Sequence, residues 1–281
     1  MANGSLSAPV VPLEAGEPDP QGARGGKERA VDEWTVTGNM EDALTSQNVL
    51  TKQARIAELA QKLIGRQLHA LNHYLDMDWM QEACRKTRKD GAPGVDGMTW
   101  EEYSRDLNAR LNDLLNRAKA GDPYRAPAVR RTYIPKGKHE TRPLGIPTLE
   151  DKILQRAVTM VLEPIYEQEF LDCSHGFRPG RSPHQALQVI WRQVMSTGGC
   201  WLIDADISKF FDTLDKAVLR GLVHQRVGDG VIRRLIGKWL SAGVLEKGVL
   251  TYPETGTPQG GVISPMLSNI YLHHVLDLWF E

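Results

Sequence analysis

The sequence is short of cysteine, of net charge and of long apolar runs, and each shortage closes off a class of protein. Three cysteines in 281 residues, Cys84, Cys173 and Cys200, are odd in number, far apart and form no Cys-x-x-Cys pair. They provide neither a disulfide framework nor a zinc ligand set, and they fit a reducing cytoplasm. No stretch approaches the roughly 20 apolar residues that span a bilayer, and the N-terminus lacks the charged-then-apolar pattern of a secretion signal. A soluble, cytoplasmic protein with no membrane partner is expected. The formal net charge of −1 taken alone speaks against a nucleic-acid partner. Its distribution speaks for one. Residues 1–50 hold 8 acidic and 3 basic side chains, which leaves 27 acidic and 31 basic in the remaining 231. Between Tyr124 and Arg142 six basic residues accompany one acid, and a local basic stripe matters more to phosphate binding than the chain total.

Residues 1–50 are rich in Pro, Gly, Ser and acids. Such a segment buries too little apolar surface to offset chain entropy, so it reads as a disordered tail. Helical periodicity starts near Lys52, with Ile56, Leu59 and Leu63, and resumes after Gly65 with Leu68, Leu71 and Leu75. Asp78 is a candidate cap for a second helix through Cys84. Thr99 with Glu102, Thr148 with Asp151, and Ser182 with Gln185 have capping-box spacing. The Thr148 helix carries Ile153, Leu154, Ala157, Val158, Val161, Leu162 and Ile165, and the Ser182 helix carries Leu187, Ile190 and Val194. Residues 129–147 read as a β-hairpin around a Lys-Gly-Lys turn, Cys200 to Ile207 as a strand, and Val249 to Tyr252 as a further β segment. Helices are expected from near Asp215, over Ile232 to Trp239, and from Ser264. The last of these still shows apolar spacing at Glu281 with no stop signal, which points to a cut-off chain.

The sharpest chemical feature is Asp204-Ala-Asp-Ile-Ser-Lys-Phe-Phe-Asp212. In a strand Asp204 and Asp206 point the same way, and carboxylates at a strand end are costly unless exposed, paired or metal-bound. Two-metal phosphoryl transfer needs such carboxylates, and hard oxygen ligands suit Mg²⁺. Metal binding is the stronger reading for this pair, while Asp212 also suits the cap of the following helix. Gly256-Thr-Pro-Gln-Gly-Gly-Val-Ile-Ser-Pro265 is a glycine-rich loop. It fits equally a tight turn or a close approach to a ligand, with Gln259 offering both donor and acceptor. Arg130, Arg131, Lys136, Lys138 and Arg142 form either a solvated basic loop or a phosphate-contacting hairpin. His69 and His73 are four apart but have no third ligand nearby, so they read as exposed helix residues.

Six ordered blocks together resemble the group II intron reverse transcriptase/maturase family. They are Gly94-Val-Asp-Gly97, Tyr133-Ile-Pro-Lys136, Arg142-Pro-Leu-Gly-Ile-Pro147, His175-Gly-Phe-Arg-Pro179, Asp204 to Asp212 and Thr257 to Pro265, within residues 50 to 281. The resemblance implies an α+β, right-hand polymerase fold, with helical fingers, a β-hairpin and an incomplete palm sheet. Residues 51–199 would be N-terminal extension and fingers, and 200–281 a partial palm. It implies that Asp206 is catalytic and holds Mg²⁺ with the backbone of Ile207, and that Asp204 is a neighbour rather than a ligand. Lys136 and Arg142 would contact the incoming triphosphate, Phe211 would select deoxynucleotides at the sugar 2′ position, and Gln259 would line the nucleotide pocket. Arg130, Arg131 and Lys138 would contact RNA. The block from His175 to Pro179 takes structure and RNA contact but no catalytic role. The partners implied are an intron RNA template, a DNA primer and dNTP, in intron splicing and retrohoming.

The family next has a strand–turn–strand bearing Tyr-Ala-Asp-Asp, and these 281 residues contain no such motif. One carboxylate cannot hold two metal ions. The chain is therefore expected to be inactive in polymerisation by itself, with the missing palm and thumb supplied by a separate chain. The alternatives are a non-catalytic, maturase-like module that binds intron RNA, and a decayed product that does not fold stably.

Overall fold

The structure is a computed structural model that describes residues 40–120, 124–136, 140–198, 201–256 and 260–281, with side chains described from Ala43 onward. Residues 39–281 form one compact unit. The expected tail over residues 1–39, the expected roles of Lys138 and Gln259, and the expected division between residues 199 and 200 lie outside the described residues.

Helix α1 (Met40–Lys62) begins inside the segment expected to be disordered, so that expectation is corrected for residues 40–50. The reason is the helical spacing of Val49, Ile56 and Ala60, each at most 1% exposed. Gly65, at φ 72°, lies just beyond its end. The helix expected to resume through Leu68 does not form. Leu68 instead makes a parallel bridge to Val227, and only Leu71–Tyr74 turns helical, in a 3-10 turn. Leu68, Leu71 and Leu75 are buried all the same, so their spacing reported burial correctly and helix wrongly.

Helix α2 (Met77–Arg85) is capped by Asp76, which accepts from Trp79 N–H, and not by Asp78, which lies in its first turn. After α3 (Trp100–Tyr103), with its Thr99–Glu102 capping box, comes α4 (Leu107–Lys119). Helix α5 (Leu149–Tyr166) is buried along most of its length and is the central element of the body. Trp79 Nε1 donates to Ala157 O (2.9 Å) and Gln53 Nε2 to Met160 O (3.1 Å), which fixes α2 and α1 against it.

The expected hairpin is present as β1 (Val129–Lys136) and β2 (Glu140–Ile146), in register from Arg130↔Ile146 to Lys136↔Glu140. Helix α6 (Pro183–Thr197) has the expected Ser182–Gln185 capping box but buries none of its residues. Short α7 (Phe210–Thr213) precedes α8 (Lys216–Arg226) and α9 (Gly230–Leu240), which are capped by Asp215 and Asp229. Strand β3 (Val244–Glu246) pairs parallel to β1 and antiparallel to β4 (Val249–Thr251), giving a four-stranded sheet of order β2-β1-β3-β4. Helix α10 (Ser264–Leu272) leads into a π-helical turn, His273–Asp277.

One expected element is missing. Residues 201–207 form no regular secondary structure and pair with no strand among the described residues, and Trp201, Leu202 and Ile203 are 98%, 71% and 88% exposed. The palm strand is thus corrected to an unpaired segment. A strand is stable only through a neighbour that takes up its N–H and C=O groups, and the four-stranded sheet lies elsewhere in the chain.

Candidate functional site

Arg130 anchors the base of the hairpin. Its guanidinium donates twice to Pro93 O (2.7 and 3.1 Å), and Lys152 Nζ donates to Ala92 O (2.7 Å), so the loop before Gly94-Val-Asp-Gly97 is tied to β1 and α5. Arg131 is half-buried, while Lys136 and Arg142 are exposed. Arg142 stands opposite Ile134. Directly opposed residues share a face and a strand alternates with period two, so Arg142, Lys136 and Leu144 lie on one face of the hairpin.

That face meets the glycine-rich loop. Gly260, at φ 113°, has its Cα so close to β2 that a Cβ would sit 2.6 Å from Gly145 O and 2.8 Å from Leu144 Cδ1. At the loop's other end a Cβ on Gly256, at φ 78°, would sit 2.6 Å from Phe211 O and 2.7 Å from Asp212 O. Gly256 N–H also donates to Leu214 O (2.8 Å), and Thr255 Oγ1 to Asp212 O (3.2 Å). The two glycines therefore fix the described flanks of the loop, Gly256 against α7 and Gly260 against β2, at separations that only a residue without Cβ allows. Phe210 and Phe211 pack edge to face (5.4 Å between centroids), and Phe210 meets Tyr271 of α10 (6.0 Å). Phe211 is half-buried.

Asp204, Asp206 and Ile207 are exposed, on the unpaired segment before α7. Lys209, at φ 53°, and not Asp212, occupies the N-cap position of α7. No group of three His, Cys, Asp or Glu among the described residues could hold a metal ion. His69 and His73 are both exposed, but only His73 lies in a helical turn and His69 precedes it; His73 Nδ1 lies against Ala70 O, and the His69 ring packs on Gly228.

A buried layer under the loop escaped the sequence reading. Gln155, 4% exposed on α5, accepts from Ile263 N–H (3.3 Å) just past the glycines. One turn earlier, Asp151 N–H donates to Thr148 Oγ1 (3.3 Å), the expected half of a capping box. The Asp151 carboxyl does not return to Thr148. It accepts from Tyr124 O–H and from Trp239 Nε1 (3.3 Å), and Trp239 Nε1 also donates to the Tyr124 hydroxyl oxygen, Oη (2.9 Å). Burial pushes this carboxyl up to about 7, although both hydrogen bonds favour its charged form. Asp151, Gln155, Trp239, Gly261 and Leu267 line a small cavity beneath the loop. The only sequence signal was an acid in the first turn of the helix, and its capping-box spacing already accounted for it.

Comparison with known proteins supplies the class that the geometry alone does not. Residues 134–281, just over half of the chain, match the family model described as reverse transcriptase (RNA-dependent DNA polymerase). The chain belongs to the reverse transcriptase family, on its group II intron-encoded branch. It is 42% identical over 202 residues to Protein YkfC of Escherichia coli K12 (70% of this chain, 53% of that one). It is 45% identical over 167 residues to group II intron-encoded protein LtrA of Lactococcus lactis subsp. cremoris (59% and 27%). It is 43% identical over 241 residues to a 91 kDa protein in the cob intron of Schizosaccharomyces pombe (84% and 29%). The chain spans about half of the first relative and less than a third of the other two. Nucleotidyl transfer in this family relies on divalent metal. No helix among the described residues is long and apolar enough to cross a membrane.

Proposed function

We propose that this chain carries the nucleotide-binding part of an RNA-directed DNA polymerase of group II intron type, acting in the cytoplasm in intron splicing and retrohoming. Lys136 and Arg142 bind the triphosphate of an incoming dNTP, Phe211 stands against the sugar 2′ position, and Gln259 lines the same pocket. Asp206 is the catalytic carboxylate of these residues and holds Mg²⁺ with the Ile207 carbonyl, and the metal supplies charge neutralisation at the transferring phosphate. Arg130, Arg131 and Lys138 face the intron RNA template, with a DNA primer as the second strand. The observation that carries this reading is the double clamp of the glycine loop, onto Phe211 and Asp212 at one end and onto Leu144 and Gly145 at the other. It brings the hairpin, the carboxylate segment and the loop to one place.

The test is equilibrium binding of a fluorescent dNTP to the 281-residue chain with Mg²⁺ present. Lys136→Ala and Arg142→Ala are each expected to weaken binding at least about tenfold, as loss of a charge-assisted phosphate contact does. Unchanged binding in both variants rejects the assignment. Because these residues hold no Tyr-Ala-Asp-Asp, primer extension on an RNA template by this polypeptide alone is expected to fail. Robust, Asp206-dependent synthesis would contradict that. Restored synthesis on adding a polypeptide with the remaining palm and thumb supports supply of the missing acids by a separate chain.

A second reading, a non-catalytic maturase-like module that binds intron RNA, is favoured by the exposed basic hairpin beside a segment with no complete metal set. Filter binding across a salt series separates the two. Steep weakening with salt, with no dNTP binding, supports the module.

A further inference from the structure

Phe177 is the anomaly of the His175–Pro179 block. Its φ is 56°, a left-handed backbone conformation that a bulky residue without special cause avoids. Strain of that kind normally persists because the side chain gains a packed core position. Here the ring is 79% exposed, so burial does not offset the strain. Backbone strain that the surrounding structure holds in place is concentrated at ligand-binding and active-site positions.

The turn is held from both sides. Asn269 Nδ2, on α10, donates to Gly176 O (2.7 Å) immediately before Phe177. Arg178, immediately after it, is buried. Its guanidinium donates to Leu171 O (2.6 Å), Ser174 O (2.8 Å) and the Glu167 carboxylate (3.0 Å), and lies over the Phe170 ring (5.3 Å). With Gly176 and Arg178 both fixed, the residue between them has no freedom to turn its ring inward. Its exposed chain neighbours, Gly176, Pro179 and Gly180, are small. The result is a lone aromatic face on a rigid polar mount, unlike the apolar stripe of α6. A protein contact ordinarily needs an extended apolar patch, whereas a single exposed ring on a fixed backbone suits a planar ligand.

We infer that Phe177 is a stacking platform for a base of single-stranded RNA. The inference rests on the reading that this protein binds RNA. Stacking tolerates any base, since each has a π face, and it adds to the phosphate contacts of the basic hairpin without replacing them. The backbone strain is what keeps the ring in solvent when no RNA is bound.

The test uses the whole chain and a single-stranded RNA carrying 2-aminopurine, read by anisotropy and by fluorescence quenching. Phe177→Gly removes the ring and the strain together. It is expected to raise the thermal midpoint, to weaken RNA binding about 5- to 100-fold, and to abolish the quenching. Phe177→Trp is expected to keep both affinity and quenching. Arg131→Ala reports the electrostatic part separately. Binding by Phe177→Gly within twofold of the unsubstituted chain, with Arg131→Ala clearly weakened, overturns the stacking inference and leaves RNA binding standing. No salt-dependent RNA binding by the unsubstituted chain overturns both. A lowered thermal midpoint in Phe177→Gly makes the ring a packing residue. Unchanged RNA affinity with lost self-association in sedimentation makes it a protein contact. Either result rejects the inference.

Discussion

Helices α2 and α6 carry the same kind of sequence signal. Each opens on a side-chain cap and each is amphipathic. Yet Trp79, Met80 and Ala83 of α2 are fully buried against the body around α5, while Leu187, Trp191 and Met195 of α6 are each more than 60% exposed. The unpaired segment that follows α6 continues the contrast, with Trp201 98% exposed. An apolar stripe encodes a need for a partner and not the partner itself. For α2 the partner is α5, about 80 residues on, as the Trp79–Ala157 hydrogen bond records. For α6 and residues 201–207 none of the described elements fills that role.

The largest expected effect is on the buried side of this comparison. Trp79→Ala should cost about 3–5 kcal/mol by chemical denaturation, through lost burial and the cavity left behind. A loss under about 1 kcal/mol would mean that α2 is not part of the cooperative core. Next comes the clamp between the two regions. Gly260→Ala should cost about 1–3 kcal/mol, since its φ and the Gly145 carbonyl both oppose a Cβ. It should also weaken dNTP binding, and a variant as stable as its parent would show that the loop is not held there.

The third expectation concerns Asp151. A carboxyl normally near 3.9 in an unfolded chain that is raised to about 7 in the fold makes the folded state bind the extra proton between those values. Stability from this group is therefore full below about pH 4 and is lost as pH rises through about 7. Denaturation midpoints should fall from pH 5.5 to pH 8.5 in the parent, and the slope should flatten in Asp151→Asn. A parent midpoint that rises over that range would reverse the assignment. The smallest effect belongs to the exposed side. Trp191→Ala should change stability by no more than about 0.5 kcal/mol. A loss comparable to that of Trp79→Ala would erase the contrast between the two helices.

Much of the fold was legible in the residues. The capping boxes at Thr99 and Ser182, the helix starting near Asp215, the apolar stripe of α5 and the hairpin of residues 129–146 follow from local rules, and the structure has them. Misreadings arose where a distant partner decided. The Leu68 segment took Val227 as neighbour rather than helical bonds, and the apolar run before Ile207 has, among the described residues, no neighbour that would make it a strand. Lys136, Arg142, Phe211 and the glycine loop were each visible as motifs, but nothing local said that Gly260 meets β2 while Gly256 meets α7. The layer of Tyr124, Asp151 and Trp239 was hidden because its members lie 27 and 88 residues apart.

By itself the sequence determined the helices with strong periodicity and caps, the basic hairpin, and the six ordered blocks that mark a reverse transcriptase of the group II intron branch. Those features depend on spacings of a few residues, which backbone geometry converts directly into local structure. Only the tertiary structure decided which apolar faces are covered, that an acid in cap position became a buried carboxyl beneath the glycine-rich segment, and that Phe177 is held outward against its own backbone preference. Burial, strain and close approach are properties of chain segments meeting in space, and a residue's neighbours in sequence do not fix them.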